Sequence, residues 1–284
     1  MPTVTSRQNP IVARYRAAAR GDDPSLMLLD GVHLLADALA AGVVLHDVAI
    51  AAGAEARDDV HALRQTLERG GIPFVTASAA VMDALSPVRS ASPVVALAAR
   101  PPVVASRVYG ALGPHGAGRG VTSALVVIAA AIQDPGNLGA IVRVAEASGA
   151  AGLVVAGASA DPFGWKALRG SMGSALRLPI AIARDLTSAV TDARGHGCRI
   201  VATVPRGGQP LFAHRFAAAS AILIGGEGPG LAREVVDAAD DRVTIPMQSP
   251  VESLNAAVTA AVVLFEAHRQ RVHDTDHHSA AAKP

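Results

Sequence analysis

The stretch LIGGEGPGL, Leu223 to Leu231, runs from an apolar strand into four glycines, one glutamate and one proline. Glycine carries no Cβ, so such a backbone can lie directly against a ligand. Two phosphate-cradling loops share this look, and neither fits. A P-loop needs lysine followed by serine or threonine after its last glycine, and GGEGPGLA has neither. A dinucleotide fingerprint opens a long βαβ series, whereas only about sixty residues follow Gly225. Glu227 in the middle of the loop would repel a pyrophosphate, which points to a neutral or cationic ligand. S-adenosylmethionine, with its sulfonium, is such a ligand.

Two further stretches carry polar groups at helix starts. In IQDPGNLGAIVRVAEASGA, Pro135 and Gly136 break a strand, Asn137 is a natural N-cap and Gly149 a natural stop. Gly139, Arg143 and Ala147 are four apart and share a helix face, so an arginine stands on a stripe of small residues where another group can approach closely. The alternative use of Arg143 is a pair with Glu146, worth only a few tenths of a kcal/mol on an exposed helix. In VTIPMQSPVESLNAAVTAAVVLFEAHRQR, the order Ser249, Pro250, Glu252 predicts a capping box with proline at the first helical position. Leu254, Val258, Ala261, Val262 and Phe265 form one apolar stripe, core or interface. The capping box leaves Ser253 and Asn255 unexplained, at a helix start where backbone N–H groups are free for a ligand.

The elements that position these residues follow from periodicity. From about residue 26 to 100, strand-length apolar runs alternate with segments of helical period, which predicts a small α/β domain. PPVVASRVYGALGPHGAGRG then reads as a linker over 101–122. Beyond it, ALVVIAAA, GLVVAG, CRIVATV, AILIGG and RVTIPM read as strands of a parallel sheet, with ligands expected at their carboxyl ends. The polar, aperiodic tail 272–284 is expected to be disordered, and its His273, Asp274, Asp276, His277 and His278 to be solvated rather than to hold a metal. Half of the 284 residues are hydrophobic and 17% are charged, ample for a buried core and unlike a disordered chain. The net charge of +1 announces no nucleic acid globally, but a local basic face suffices to collect phosphates. SRQNPIVARYRAAAR, with Arg7, Arg14, Arg16 and Arg20, is either such a face or the solvated side of a first helix. The single cysteine, Cys198, fits a reducing compartment and a core position. No apolar run approaches the roughly 20 residues that span a bilayer, and no signal peptide opens the chain, so a cytoplasmic protein without membrane partners is expected.

The three stretches, in this order, closely resemble the signature motifs of the SpoU (TrmH-like) RNA ribose 2′-O-methyltransferases of the SPOUT superfamily, over residues 123–271. Residues 1–100 resemble, more weakly, the ribosomal-protein-like α/β domain that many members use to bind substrate RNA. The resemblance implies an α/β parallel-sheet domain whose C-terminal part is threaded into a deep trefoil knot, and a homodimer with its active site at the interface. It implies S-adenosylmethionine as cofactor, bound through Thr203, Gly225, Gly228, Ile245, Met247 and Leu254, with no metal. Asn137, Arg143, Glu227, Ser253 and Asn255 match the polar active-site positions. Arg7, Arg14 and Arg16 would contact RNA, ribosomal RNA ahead of tRNA. Gly226 departs from the asparagine that many members carry there. Ser171 and Gly173 match a segment expected to shape a loop near the site, and Trp165 beside it is read as packing. The alternatives are a non-catalytic RNA-binding protein of the same fold, which would lack the polar motif residues, and a dinucleotide-dependent enzyme, which the late glycine loop argues against.

Overall fold

The structure, a computed structural model, describes residues 3–88, 92–110, 124–216, 219–228 and 230–281, with side chains as far as Val272. By its contacts the chain divides into two units, Met1–Pro101 with Phe163–Arg177, and Pro102–Pro162 with Leu178–Pro284.

The first unit is built on β1 (Thr3–Val4), β2 (Leu26–Asp30), β3 (Leu45–Ala51), β4 (Phe74–Ala77) and β5 (Val94–Ala99), in the order β1-β4-β3-β5-β2. β1, β4 and β3 are parallel, and β5 runs antiparallel to β3 and β2. The helices are α1 (Pro10–Arg20), α2 (Val32–Ala40), α3 (Asp58–Arg69) and α4 (Ala79–Leu85). α1 begins where Asn9 Oδ1 accepts from Ile11 N–H (3.1 Å) with Pro10 in the first turn. Its Val12, Tyr15 and Ala18 recur on one face and enter the core, which leaves the arginines outside. The Tyr15 hydroxyl donates to the Asp47 carbonyl (3.0 Å), so the buried phenol is satisfied, and burial pushes its ionisation well above the usual range.

The second unit opens with α5 (Ala105–Tyr109), inside the stretch expected to be a linker. Val108 and Tyr109 are buried in its core, so this part of the stretch is packed structure; residues 111–122 of it lie outside the described residues. β6 (Leu125–Ala130) is followed by α6 (Pro135–Ala147) and β7 (Gly152–Ala156). The chain then forms α7 (Trp165–Ser171) and α8 (Ser174–Arg177), which belong by contacts to the first unit, where Trp165 packs against the core. β8 (Ile180–Ala183), α9 (Leu186–Gly195), β9 (Arg199–Thr203), β10 (Gln209–Pro210), β11 (Ser220–Gly225), α10 (Arg233–Ala238), β12 (Asp241–Thr244) and α11 (Ala256–Ala281) complete the chain.

The seven strands are all parallel in the order β10-β12-β9-β11-β6-β7-β8. Every residue of β6 and β7 is buried, which is why LVVIAA and GLVVA carry no polar alternation. Cys198 lies in this core, where burial pushes its thiol up to about 11. After β8 the chain crosses to β9 on the far side, and β11 then enters between β9 and β6. The carboxyl ends of β6, β9, β11 and β12 therefore come together on either side of a topological switch, the place where such sheets bind ligands.

α11 differs from its prediction in three ways. It starts at Ala256, so Ser249 and Glu252 form no capping box, and Ser249–Pro250 is instead a turn with a cis peptide bond. Its buried apolar residues are Ala256, Ala260, Val263, Leu264 and Ala267, while Val258 and Phe265 of the predicted stripe stand about half exposed. Its backbone continues to Ala281, where a disordered tail was expected. No glycine or proline interrupts 256–283, so nothing in that stretch stops a helix already nucleated against the core. Among the described residues no helix is long and apolar enough to cross a membrane, and no cluster of His, Cys, Asp or Glu could hold a metal.

Candidate cofactor pocket and active site

A cavity of about 510 Å³ opens at the carboxyl ends of these strands. Thr203, Gly225, Gly228, Ile245, Met247 and Leu254 all line it, together with Glu227, Ser253 and Asn255. Two of its glycines, Gly225 and Gly226, are required by close packing of main chain. A Cβ on Gly225 would lie 2.8 Å from the Leu231 nitrogen, where the loop folds back on the strand. A Cβ on Gly226 would overlap the carbonyl oxygen of Ala131, a residue held at φ 55° in the left-handed region. The departure at Gly226 thus has a steric cause: this backbone leaves no space for an asparagine. The Thr203 hydroxyl donates to the Leu223 carbonyl (2.7 Å) and ties the end of β9 to β11.

The three polar stretches meet in one directed chain of hydrogen bonds. Asp134, not Asn137, caps α6: its Oδ1 accepts from Asn137 N–H (2.7 Å), with Pro135 in the first turn. The correction matters because it releases the Asn137 side chain. Asn255 starts α11, its Oδ1 accepting from Ala257 N–H (2.9 Å) and Val258 N–H (3.3 Å). Its Nδ2 must then face outward, and donates to Asn137 Oδ1 (3.1 Å). Asn137 Nδ2 in turn donates to the Glu227 carboxylate. Each amide has one orientation because the helix N–H groups fix the first of them. The chain ends on an acceptor, the Glu227 carboxylate at the pocket wall.

The family model described as SpoU rRNA Methylase matches residues 124–265, and that of the thiostrepton-resistance methylase N terminus matches residues 1–108. An uncharacterized tRNA/rRNA methyltransferase of Synechocystis is 31% identical over 272 residues, covering 95% of this chain and 94% of that one. The chain belongs to the SpoU rRNA methylase family. Among solved structures, an RNA 2′-O ribose methyltransferase is 29% identical with a TM-score of 0.78, covering 95% of this chain and all of that one. The S-adenosylmethionine-bound rRNA methyltransferase of Sinorhizobium meliloti is 27% identical with a TM-score of 0.78, covering 94% and 97%.

Not every expected site residue of this SpoU methylase joins the pocket. Arg143 is exposed on α6, does not line the cavity, and makes no hydrogen bond or ion pair among the described residues. The arginines of the first unit are likewise not gathered. Arg7 Nε donates to the Ala80 carbonyl (2.8 Å) and Arg16 Nε to that of Ala84 (3.4 Å), whereas Arg14 pairs with Asp47 on β3 (2.6 Å). Ser171 is fully buried and its hydroxyl donates to the Leu168 carbonyl (2.9 Å), a local bond within α7. Thr259 and Val263 on α11, and Val204 and Pro205 after β9, also line the cavity and were missed. Thr259 was discoverable, since it stands one turn beyond Asn255 on the same helix face. Glu252, read as half of a capping box, instead accepts from Arg206 Nη2 (2.8 Å).

Proposed function

We propose that this SpoU methylase transfers a methyl group from S-adenosylmethionine to a ribose 2′-OH of ribosomal RNA, working as a homodimer. The observation that carries this reading is the hydrogen-bonded chain Asn255–Asn137–Glu227, which joins all three polar stretches at the rim of one pocket. The residues present fit the cofactor. Bare main chain at Gly225 and Gly228 can approach a bent ligand, Ile245, Met247 and Leu254 offer apolar surface, and Glu227 supplies a carboxylate in the lining. The family description, the ribose methyltransferase relative and the cofactor-bound relative agree with that choice.

Held by Thr203, Gly225, Gly228, Ile245, Met247 and Leu254, S-adenosylmethionine would supply an electrophilic methyl group for the ribose oxygen and leave as S-adenosylhomocysteine, with the hydroxyl proton released to solvent. The protein's part is largely positioning. Glu227 favours the cationic donor over its neutral product. Asn137 is fixed at both ends of its amide and holds Glu227 in place. Ser253 and Asn255 present polar atoms beside the start of α11 to the sugar and its phosphate. Arg143 is a donor-only group suited to the hydroxyl oxygen and the adjacent phosphate. Its absence from the pocket of its own chain supports a site completed by a second copy, and the exposed Val258, Phe265 and Val272, seven apart on α11, provide an apolar face for that copy. The entry of β11 between β9 and β6, and the packing of α11 on α6, support the trefoil knot as part of the proposal. Arg7, Arg14 and Arg16 would supply RNA contacts from the first unit.

Thermal-shift titration tests the cofactor: S-adenosylhomocysteine should stabilise the protein and NAD should not, and the reverse result would reject the reading. Mass-spectrometric mapping of ribose methylation in RNA from cells with and without the protein tests the substrate. A methyl group lost from ribosomal RNA supports the proposal; one lost only from tRNA moves the substrate, and one lost from a base refutes the reaction.

A further inference from the structure

We propose that the ion pair Arg206–Glu252 is a clasp on the cofactor pocket, and that its two residues position Ser253 and Leu254; this rests on the reading of the pocket as a S-adenosylmethionine site. Arg206 directly follows Val204 and Pro205, and Glu252 directly precedes Ser253 and Leu254, and all four of these neighbours line the cavity. The pair, 2.8 Å apart, therefore joins two loops that bound the same pocket.

The loop between β12 and α11 has little else to hold it. Pro246–Leu254 contains no helix or strand. Within it, Val251 N–H donates to the Gln248 carbonyl (3.1 Å), which closes a local turn and attaches the loop to nothing. Among the described residues, the bond from Arg206 is the only hydrogen bond or ion pair that ties this segment to another part of the chain. Met247 and Leu254 turn half-buried toward the pocket, while the residues between them are exposed. A segment anchored at its two ends and fastened once in the middle opens locally when that fastening is lost. Opening would withdraw Leu254 from the cofactor and Ser253 from the substrate, so the clasp governs cofactor retention. The two side chains are 74% and 77% exposed, so the attraction is weak and falls with salt.

The test is a charge-swap cycle on the full-length protein, Arg206→Glu, Glu252→Arg and the double variant, with S-adenosylhomocysteine affinity measured by calorimetry at low and high salt. Each single variant should bind about three- to fivefold more weakly at low salt, the scale of an exposed pair. The double variant should regain most of the loss, high salt should narrow the differences, and melting temperatures without ligand should stay together. A wild-type protein that fails to bind S-adenosylhomocysteine refutes the pocket assignment itself. A wild type that binds, with single variants equally tight, overturns the clasp alone. So does a double variant no better than the singles, because the losses would then belong to each side chain separately.

Discussion

The two units handle their polar groups in opposite ways. In the first, each arginine of the opening segment ends on an acceptor of its own: Arg7 and Arg16 on carbonyls of α4, Arg14 on Asp47, Arg20 on Asp22. In the second, Asn255, Asn137 and Glu227 end on one another, and a helix start fixes the direction of the whole chain. Dispersed pairs solvate a surface and contribute little apiece. Convergent groups constrain each other, so the loss of one misplaces the rest. On the proposed function, the chemistry belongs to the second unit and the first has a diffuse role, spread over several weak contacts.

The largest expected effect concerns Arg143, the charged residue of the polar set that makes no hydrogen bond or ion pair among the described residues. Arg143→Ala should reduce turnover by about a thousandfold, the range for removing a donor from a developing charge. S-adenosylhomocysteine affinity, read by calorimetry, should stay within about threefold, since Arg143 does not line the cavity. Near-normal turnover would remove it from the site. Gly226→Ala comes next. Its Cβ would meet backbone, which cannot swing aside, so the loop or β6 must move, at a cost of about 1–3 kcal/mol in urea unfolding and with loss of cofactor-induced stabilisation. An unchanged affinity would show that the loop tolerates other paths.

How much of this could be read beforehand depended on how local each cause was. LVVIAA and GLVVA announced buried parallel strands because a segment covered on both faces needs apolar residues throughout. The glycine loop announced a close main-chain approach for the same local reason. β8 and β10 were passed over because strands of four and two residues at a sheet edge leave no long apolar run. Asn137 was mistaken for a cap because DPGN offers two capping residues, and only the proline after Asp134 decides between them. The capping box at Ser249 failed for a non-local reason: Glu252 is taken by an arginine 46 residues away, which no spacing rule reveals. The two apolar faces of α11 blur its periodicity, so its sequence shows that it is apolar without showing which face is covered.

Asn255 separates the cap from the chemistry within the second unit. Asn255→Asp keeps an acceptor for Ala257 and Val258 N–H but removes the donor to Asn137 Oδ1. Stability should hold within about 0.5 kcal/mol, because aspartate caps as well as asparagine. Methylation should nonetheless fall by about tenfold or more, since a carboxylate there faces the Asn137 oxygen and disrupts the hold on Glu227. Asn255→Ala should lose activity and about 1 kcal/mol together. If the aspartate variant were fully active, the directed chain would be structural only, and the contrast between the units would weaken.

The smallest effect belongs to the first unit and tests the contrast from its other side. Arg14 is 54% exposed and its partner Asp47 25%, so the pair is partly solvated despite its 2.6 Å separation. Arg14→Ala should cost less than about 1 kcal/mol in stability, weaken RNA binding only a few fold, and leave S-adenosylhomocysteine affinity unchanged. The reason is arithmetic: a phosphate contact made by an arginine already paired within the protein must first compete with Asp47, so the net gain on binding RNA is small. Doubling the change by adding Arg7→Ala should multiply the losses roughly independently, because Arg7 and Arg14 have different partners. An RNA affinity that collapsed with Arg14→Ala alone would mean that the first unit also holds a convergent site, with the Arg14–Asp47 pair broken and rebuilt around the substrate.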